Sequence, residues 1–293
     1  RFLSIFYDKL VNPLFWTPWM REQSLELGDF SKPDLSVIDV GSGTGFTTEG
    51  IVRRVASEQV TCVDQSPHQM AKAKAKKELL GCTFIVGDAE QVPAETDAFD
   101  RYVSAGSIEY WPNPQQGINE SYRVIKPGGK ALMIGPMQPK TTFMQWVANT
   151  WMLFPTFEEY KHWYEQAGFT DIEYRFVQPH WYPDKDGYAV AIVGVKPQPG
   201  LSPNPAPANP DAEIEDAPLT FGRALVMAFR VIVGSTAGFI FIPIALLGYL
   251  VNGFGKQDDR PPEFRERLNT YQILALLVIL GLILAGVWSF LPT

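Results

Sequence analysis

The sequence is poor in the residues that build metal centres and covalent cross-links. Its 293 residues include two cysteines and three histidines. Cys62 and Cys82 each lie in or beside an apolar run that reads as a strand, so buried, reduced thiols are expected. No cluster has metal-ligand spacing, and no metal is expected. Basic residues are also short: 25 Lys and Arg stand against 32 Asp and Glu, a formal net charge of −7. Without a basic face, a nucleic-acid partner is excluded. What the chain has in quantity is aromatic side chains, 13% of residues, concentrated at the N-terminus, in 143–182 and near the tail. The length suffices for one α/β domain with additional parts.

The chain is organised around Val37-Ile-Asp-Val-Gly-Ser-Gly-Thr-Gly-Phe-Thr-Thr-Glu-Gly50. Leu35 to Val40 is an apolar run holding one acid, Asp39, and reads as a buried parallel strand. Gly41, Gly43 and Gly45 follow, then a helical segment to about Ala56. Glycines at such a turn let the backbone lie against a flat ligand. A dinucleotide fingerprint needs G-x-G-x-x-G. Counted from Gly41 its third glycine falls on Phe46, and from Gly43 on Thr48, so a nicotinamide cofactor is excluded. The D-x-G-x-G-x-G spacing resembles the S-adenosylmethionine (SAM) loop of class I methyltransferases, where no phosphate is cradled.

Strands and helices then alternate. Val60–Asp64, Cys82–Val86, Phe99–Ser104 and Lys130–Ile134 read as strands; Pro67–Lys77, Asn113–Ile125 and Glu158–Ala167 read as helices. Asp171–Val177 and Tyr188–Val195 form a terminal strand pair. The expected fold is α/β: a doubly wound, mostly parallel, Rossmann-like methyltransferase sheet with an antiparallel terminal pair and two C-terminal transmembrane helices. Four parts are expected. Residues 1–30 form an aromatic lid or interfacial segment, or a helix that merely packs on the domain, amphipathic up to Asn12 and broken by Pro13 and Pro18. Residues 31–196 form the methyltransferase domain, and 197–220 a proline-rich, extended linker. Residues 221–293 form a membrane anchor with spans at about 231–251 and 273–290, both uncharged and of bilayer length.

Three acids end successive strands. Asp39 can face the SAM ammonium group. Asp64, about twenty residues after the loop, can accept both ribose hydroxyls. Asp88, in Gly87-Asp88-Ala89, can take the adenine amino hydrogens while Ala89 offers its N–H. Each alone reads as a cap or turn residue; together they outline one crevice at the carboxyl edge of the sheet. The expected cofactor residues are Asp39, Gly41, Ser42, Gly43, Gly45, Asp64, Gln65, Asp88, Ala89 and Ser104. After strand four comes Ser104-Ala-Gly-Ser-Ile-Glu-Tyr-Trp-Pro112, whose Glu109, Tyr110 and Trp111 either shape the acceptor site or pack the next helix. His68 is expected beside the cofactor, His162 as structural and His180 as a base candidate. Glu109, Tyr110 and His180 are the catalytic candidates, with Asp8 behind them.

Beyond the fold, Pro13-Leu-Phe-Trp-Thr-Pro-Trp-Met-Arg21 and Ser104–Pro112, with matching stretches from Arg1 to Lys196, resemble the plastid 2-methyl-6-phytylbenzoquinol/2-methyl-6-solanesylbenzoquinol methyltransferases. The resemblance implies SAM-dependent C-methylation of a prenylated hydroquinone, for plastoquinone and tocopherol synthesis. It also implies a chloroplast membrane, inner envelope or thylakoid, with the domain on the stromal side and membrane lipid as a partner. A second span departs from that family and suggests a membrane-complex partner. The alternative is a methyltransferase-like structural subunit, against which the intact set of acids and glycines speaks.

Overall fold

Seven strands build one sheet: β1 (Val37–Val40), β2 (Val60–Asp64), β3 (Thr83–Val86), β4 (Phe99–Ala105), β5 (Ile125–Pro136), β6 (Thr170–Val177) and β7 (Ala189–Val195). In this computed structural model their order is β3-β2-β1-β4-β5-β7-β6. The structure describes residues 12–140, 145, 154–182, 187–206, 242–243, 245–250, 260–265, 268 and 270–289. Strands β1 to β5 pair in parallel, β7 runs antiparallel to β5, and β6 antiparallel to β7. The doubly wound, mostly parallel sheet with its antiparallel pair is therefore present. Strand order reverses between β1 and β4, the point at which open α/β sheets leave a crevice at their carboxyl ends.

Burial follows position in that order. All four residues of β1 are buried, as a central parallel strand requires, whereas the edge strands β3 and β6 are largely open. The described helices are α1 (Asn12–Phe15), α2 (Pro18–Leu27), α3 (Phe46–Ile51), α4 (Pro67–Lys74), α5 (Pro114–Val124), α6 (Phe157–Ala167) and α7 (Thr270–Ser289). Their starts are written in local chemistry. Ser66 and Asn113 cap α4 and α5, each with proline in the first turn. Thr156 and Glu159 form a reciprocal capping box on α6, and Gly168 closes that helix at φ 90°. Ile38, Val63, Tyr102, Met133 and Ile192 of the sheet share one core with Ile118 of α5 and with Tyr160 and Tyr164 of α6.

The chain forms two compact units. One comprises Arg21–Val177 and Asp186–Thr220, the other Arg1–Met20, Gln178–Lys185 and Phe221–Thr293. Within the first, buried Arg21 on α2 donates to the Phe46 carbonyl at 2.8 Å and lies 4.8 Å over the Phe46 ring, beside Glu22. Arg101 on β4 donates to the carbonyls of Gly28 and Asp29, which fastens the end of α2. The described part of the proline-rich segment lies on the same unit. Lys196 Nζ reaches Asp97 Oδ1 at 2.5 Å, Asp97 accepts the Gly200 amide, and Asn119 donates to the Asn204 carbonyl. In the second unit Trp181 Nε1 donates to the Leu14 carbonyl at 2.8 Å, and Phe15 packs edge-on to Trp181. The amphipathic helix expected before Asn12 lies outside the described residues.

The two expected transmembrane helices are corrected here. Among the described residues no helix is long and apolar enough to cross a membrane. Residues 231–241, 244 and 251 of the first expected span lie outside the described residues, as does 290 of the second. Where the first is described, its apolar side chains are used for packing in the protein. Ile242, Ala245 and Leu246 are buried, and a Cβ on Gly248 would meet the Trp181 ring at 3.2 Å. In α7, Gln272 and Leu276 are buried. In the same helix Ile273, Leu274, Leu277 and Val278 are exposed.

Candidate active site

The glycine loop is bolted to the ends of its neighbouring strands. The amides of Gly41 and Ser42 both donate to the Val63 carbonyl of β2, at 2.8 and 3.1 Å. Asp64, the last residue of β2, accepts the Gly43 amide at Oδ2 and the Ser66 amide at Oδ1, each at 2.7 Å. Its own carbonyl accepts the Gly87 amide at 3.2 Å, which brings the Gly87-Asp88-Ala89 turn alongside. Gly41, Gly43 and Gly45 all take positive φ, at 73°, 53° and 82°. At Gly41 the need is doubly plain, since a Cβ would stand 2.2 Å from Ser107 Oγ. The loop thus meets the end of β4 as well as that of β2.

Asp39 lies within β1 and is 1% exposed. Its Oδ2 accepts a hydrogen bond from Thr48 Oγ1 at 2.6 Å. Its Oδ1 has no hydrogen-bond partner among the described residues, and neither do the buried hydroxyls of Ser42 and Ser104. Burial pushes the Asp39 carboxyl up to about 7, against the Thr48 hydrogen bond and with the Asp64 charge adding to the rise. An acid so placed is short of a cation or donor. Asp88 and Gln65 are exposed, Asp88 accepts the Glu90 amide, and Ala89 is buried.

Beyond β4 a 3-10 turn, Ile108–Tyr110, carries Glu109. Glu109 is 9% exposed, and its Oε2 has no hydrogen-bond partner among the described residues. Burial pushes its carboxyl up to about 7. Tyr160 is a close neighbour: its phenol is pushed well up, first by burial and next by the Glu109 charge. The same hydroxyl donates to the Pro136 carbonyl at 3.0 Å. A Cβ on Gly135 would collide with that hydroxyl and with Ile108, so Gly135 makes the room the turn needs. Tyr110 is 61% exposed. Trp111 is buried, donates to Ser107 Oγ at 2.9 Å, and lies where a Cβ on Gly117 would meet its ring at 2.4 Å.

Asp39, Gly41, Ser42, Gly43, Gly45, Asp64, Gln65, Asp88, Ala89, Ser104, Glu109 and Tyr110 thus belong to one unit and to the carboxyl edge of its sheet. His180 belongs to the other unit and is half-buried. His68 and His162 are exposed, and Asp8 lies outside the described residues. Thr48 and Ser107 were not anticipated. A threonine in the first turn after the loop is the only signal for Thr48, and nothing in the spacing marks Ser107 as the partner of Gly41.

A methyltransferase-domain family model matches residues 38–133. The chain is 47% identical over 248 residues to 2-methyl-6-phytyl-1,4-hydroquinone methyltransferase, chloroplastic, of Arabidopsis thaliana, covering 83% of this chain and 73% of that protein. It is 47% identical over 250 residues to the protein of the same name from Spinacia oleracea, covering 83% and 71%. Among solved structures it resembles geranyl diphosphate C-methyltransferase from Streptomyces coelicolor A3(2), in complex with Mg2+, geranyl diphosphate and S-adenosyl-L-homocysteine. The TM-score is 0.53 at 17% identity, over 61% of this chain and 77% of that one, a likeness of fold.

Proposed function

On the premise that this chain belongs to the 2-methyl-6-phytyl-1,4-hydroquinone methyltransferase family and is a SAM-dependent methyltransferase, we propose that it methylates a ring carbon of a prenylated hydroquinone. Its place would be the chloroplast, in the synthesis of plastoquinone and tocopherol. Because the acceptor is itself a lipid, we place the reaction at a lipid surface. The observation that carries the reading is the pair of buried, under-partnered carboxyls, Asp39 before the glycine loop and Glu109 after β4.

The loop residues fit the cofactor. Asp39 Oδ1, buried and unpartnered among the described residues, suits the ammonium group. Asp64 already receives one amide at each carboxylate oxygen, and each oxygen keeps a lone pair for a ribose hydroxyl. Gly41, Gly43 and Gly45 supply a face without Cβ atoms, Ser42 and Ser104 supply hydroxyls, and Gln65, Asp88 and Ala89 border the adenine end. When bound, SAM supplies an electrophilic methyl on a sulfonium.

Glu109 would act on the acceptor. A neutral phenol is a weak carbon nucleophile, and withdrawing its proton places charge on the ortho carbon. A carboxylate with an affinity for protons near neutrality is suited to that task. Ionised Glu109 would take the hydroxyl proton while the surrounding residues hold carbon and methyl in line; the methyl–sulfur bond breaks as the carbon–carbon bond forms, leaving a neutral thioether, and the ring carbon then gives up its own hydrogen as a proton to restore the aromatic ring. Tyr110, exposed beside it, would border the acceptor.

The test is an initial-rate assay with methyl-labelled SAM and a panel of hydroquinones with and without prenyl tails, on wild type and Glu109→Gln. Turnover restricted to prenylated acceptors, and lost in the variant, is expected. Equal turnover of tail-free acceptors would remove the prenyl specificity, and an unimpaired variant would remove Glu109.

A further inference from the structure

Asp39 is held from behind. Thr48 is fully buried in the first turn of α3, and its hydroxyl donates to Asp39 Oδ2 at 2.6 Å. The Cys62 thiol of β2, also fully buried, approaches the same Thr48 oxygen at 3.8 Å. Register places Cys62 directly beside Asp39 in the parallel β1–β2 pair. Thr48 therefore sits where helix, β1 and β2 meet, with its one proton committed to one oxygen of the carboxylate. The other oxygen has no partner among the described residues and is closed off from water.

We propose that Thr48 is a positioning residue for the cofactor: its hydroxyl fixes the Asp39 carboxylate in one rotamer, leaving Oδ1 to receive the SAM ammonium group. The inference rests on the reading of Asp39 given under Proposed function. A hydrogen bond to the charged form of a buried acid favours that form, and here it opposes the cost of burial. The other groups felt by Asp39 work the opposite way or carry no charge. Asp64, at the end of β2, adds negative charge. Cys62 stays a thiol, pushed up first by its hydrogen bond with Cys82 and next by burial. Tyr102, on β4, stays a neutral phenol because of burial. Among these groups Thr48 is the one that favours the anion.

A role in packing alone would not change how binding depends on pH, and this separates the two. SAM affinity is measured by calorimetry from pH 6 to 8.5 on wild type, Thr48→Val, Thr48→Ser and Asp39→Asn. Wild-type affinity should rise with pH through an inflection near 7 set by Asp39, and fall again as the SAM ammonium group itself titrates at about 8. Thr48→Val should move the inflection to higher pH and weaken binding at pH 7 about tenfold, the usual scale for a hydrogen bond to a charged group. The loss should shrink at the top of the range. Thr48→Ser should restore the wild-type profile, and Asp39→Asn should remove its rising limb. Should the valine variant fail to fold, Thr48→Ala is read the same way; failure of both beside a folded Asp39→Asn would overturn the proposal by making Thr48 structural. An unmoved inflection in Thr48→Val, with binding weakened in Asp39→Asn, overturns the role of Thr48 alone. Wild-type binding in Asp39→Asn overturns the reading of Asp39 itself.

Discussion

The Asp64 carboxylate accepts the Gly43 amide at 2.7 Å, so the residue proposed to hold the ribose also holds the loop. One substitution therefore tests two roles at once. Asp64→Ala is expected to weaken SAM binding by about 2–4 kcal/mol, the worth of a charge-assisted pair of hydrogen bonds. Calorimetry on protein whose melting confirms folding is the measurement. Unchanged affinity would place the ribose elsewhere.

Gly41→Ala is expected to cost stability and cofactor affinity together. The new Cβ meets Ser107 Oγ at 2.2 Å, and the backbone at φ 73° strains any L side chain. A loss on the order of 1–3 kcal/mol in chemical denaturation is predicted. Adding Ser107→Gly should recover the steric part and leave the backbone part. Full recovery in the double variant would mean that the positive φ costs nothing.

Asp39 and Glu109 predict how the ligand-free protein responds to pH. Each carboxyl is raised to about 7, from 3.8 and 4.5, by burial. The folded state therefore binds more protons than the unfolded chain between those values. Stability from these groups is fully present below about pH 4 and is lost as pH rises through 7. At about 1.4 kcal/mol per pKa unit, each group contributes a few kcal/mol to the total change in stability across that range. Denaturant midpoints at pH 5 and pH 8 should converge in the double variant Asp39→Asn, Glu109→Gln. A wild type equally stable at both values would show that neither acid is so perturbed.

The sheet was legible because its signal is local. Val37–Val40 and Val60–Asp64 are short apolar runs, each followed by turn residues, and both are strands within a residue or two of expectation. Lys126-Pro-Gly-Gly129 looks like a break in the sequence, which confines the expected strand to Lys130–Ile134. The strand in fact starts at Ile125, with Gly128 at φ 77° and a register shift against β4 between Phe99 and Arg101. Which acids lie at strand ends was legible for the same reason as the strands. What holds them was not, since the Thr48–Asp39 and Ser107–Gly41 contacts depend on how helix and turn dock. The first expected membrane span turns on a similar point: hydropathy registers apolar side chains, and Trp181 against Gly248 is a contact no linear window contains.

For Glu109→Gln, kcat should fall about 10²–10⁴-fold, the range for loss of a general base, while SAM affinity holds. Wild-type kcat should rise with pH through an inflection near 7, because the base must be ionised to act. The variant should lack that limb. A pH profile kept intact in Glu109→Gln would take the role away from Glu109.

The central claim is transfer to carbon of a prenylated hydroquinone, and the product's own spectrum tests it most directly. Purified protein is incubated with SAM carrying a 13C methyl and with 2-methyl-6-phytyl-1,4-hydroquinone, and the extracted lipid is read by NMR and mass spectrometry. The account predicts a single added methyl whose resonance is that of a methyl on an aromatic ring. A methoxy resonance, or no labelled lipid from folded protein that binds SAM, would contradict it.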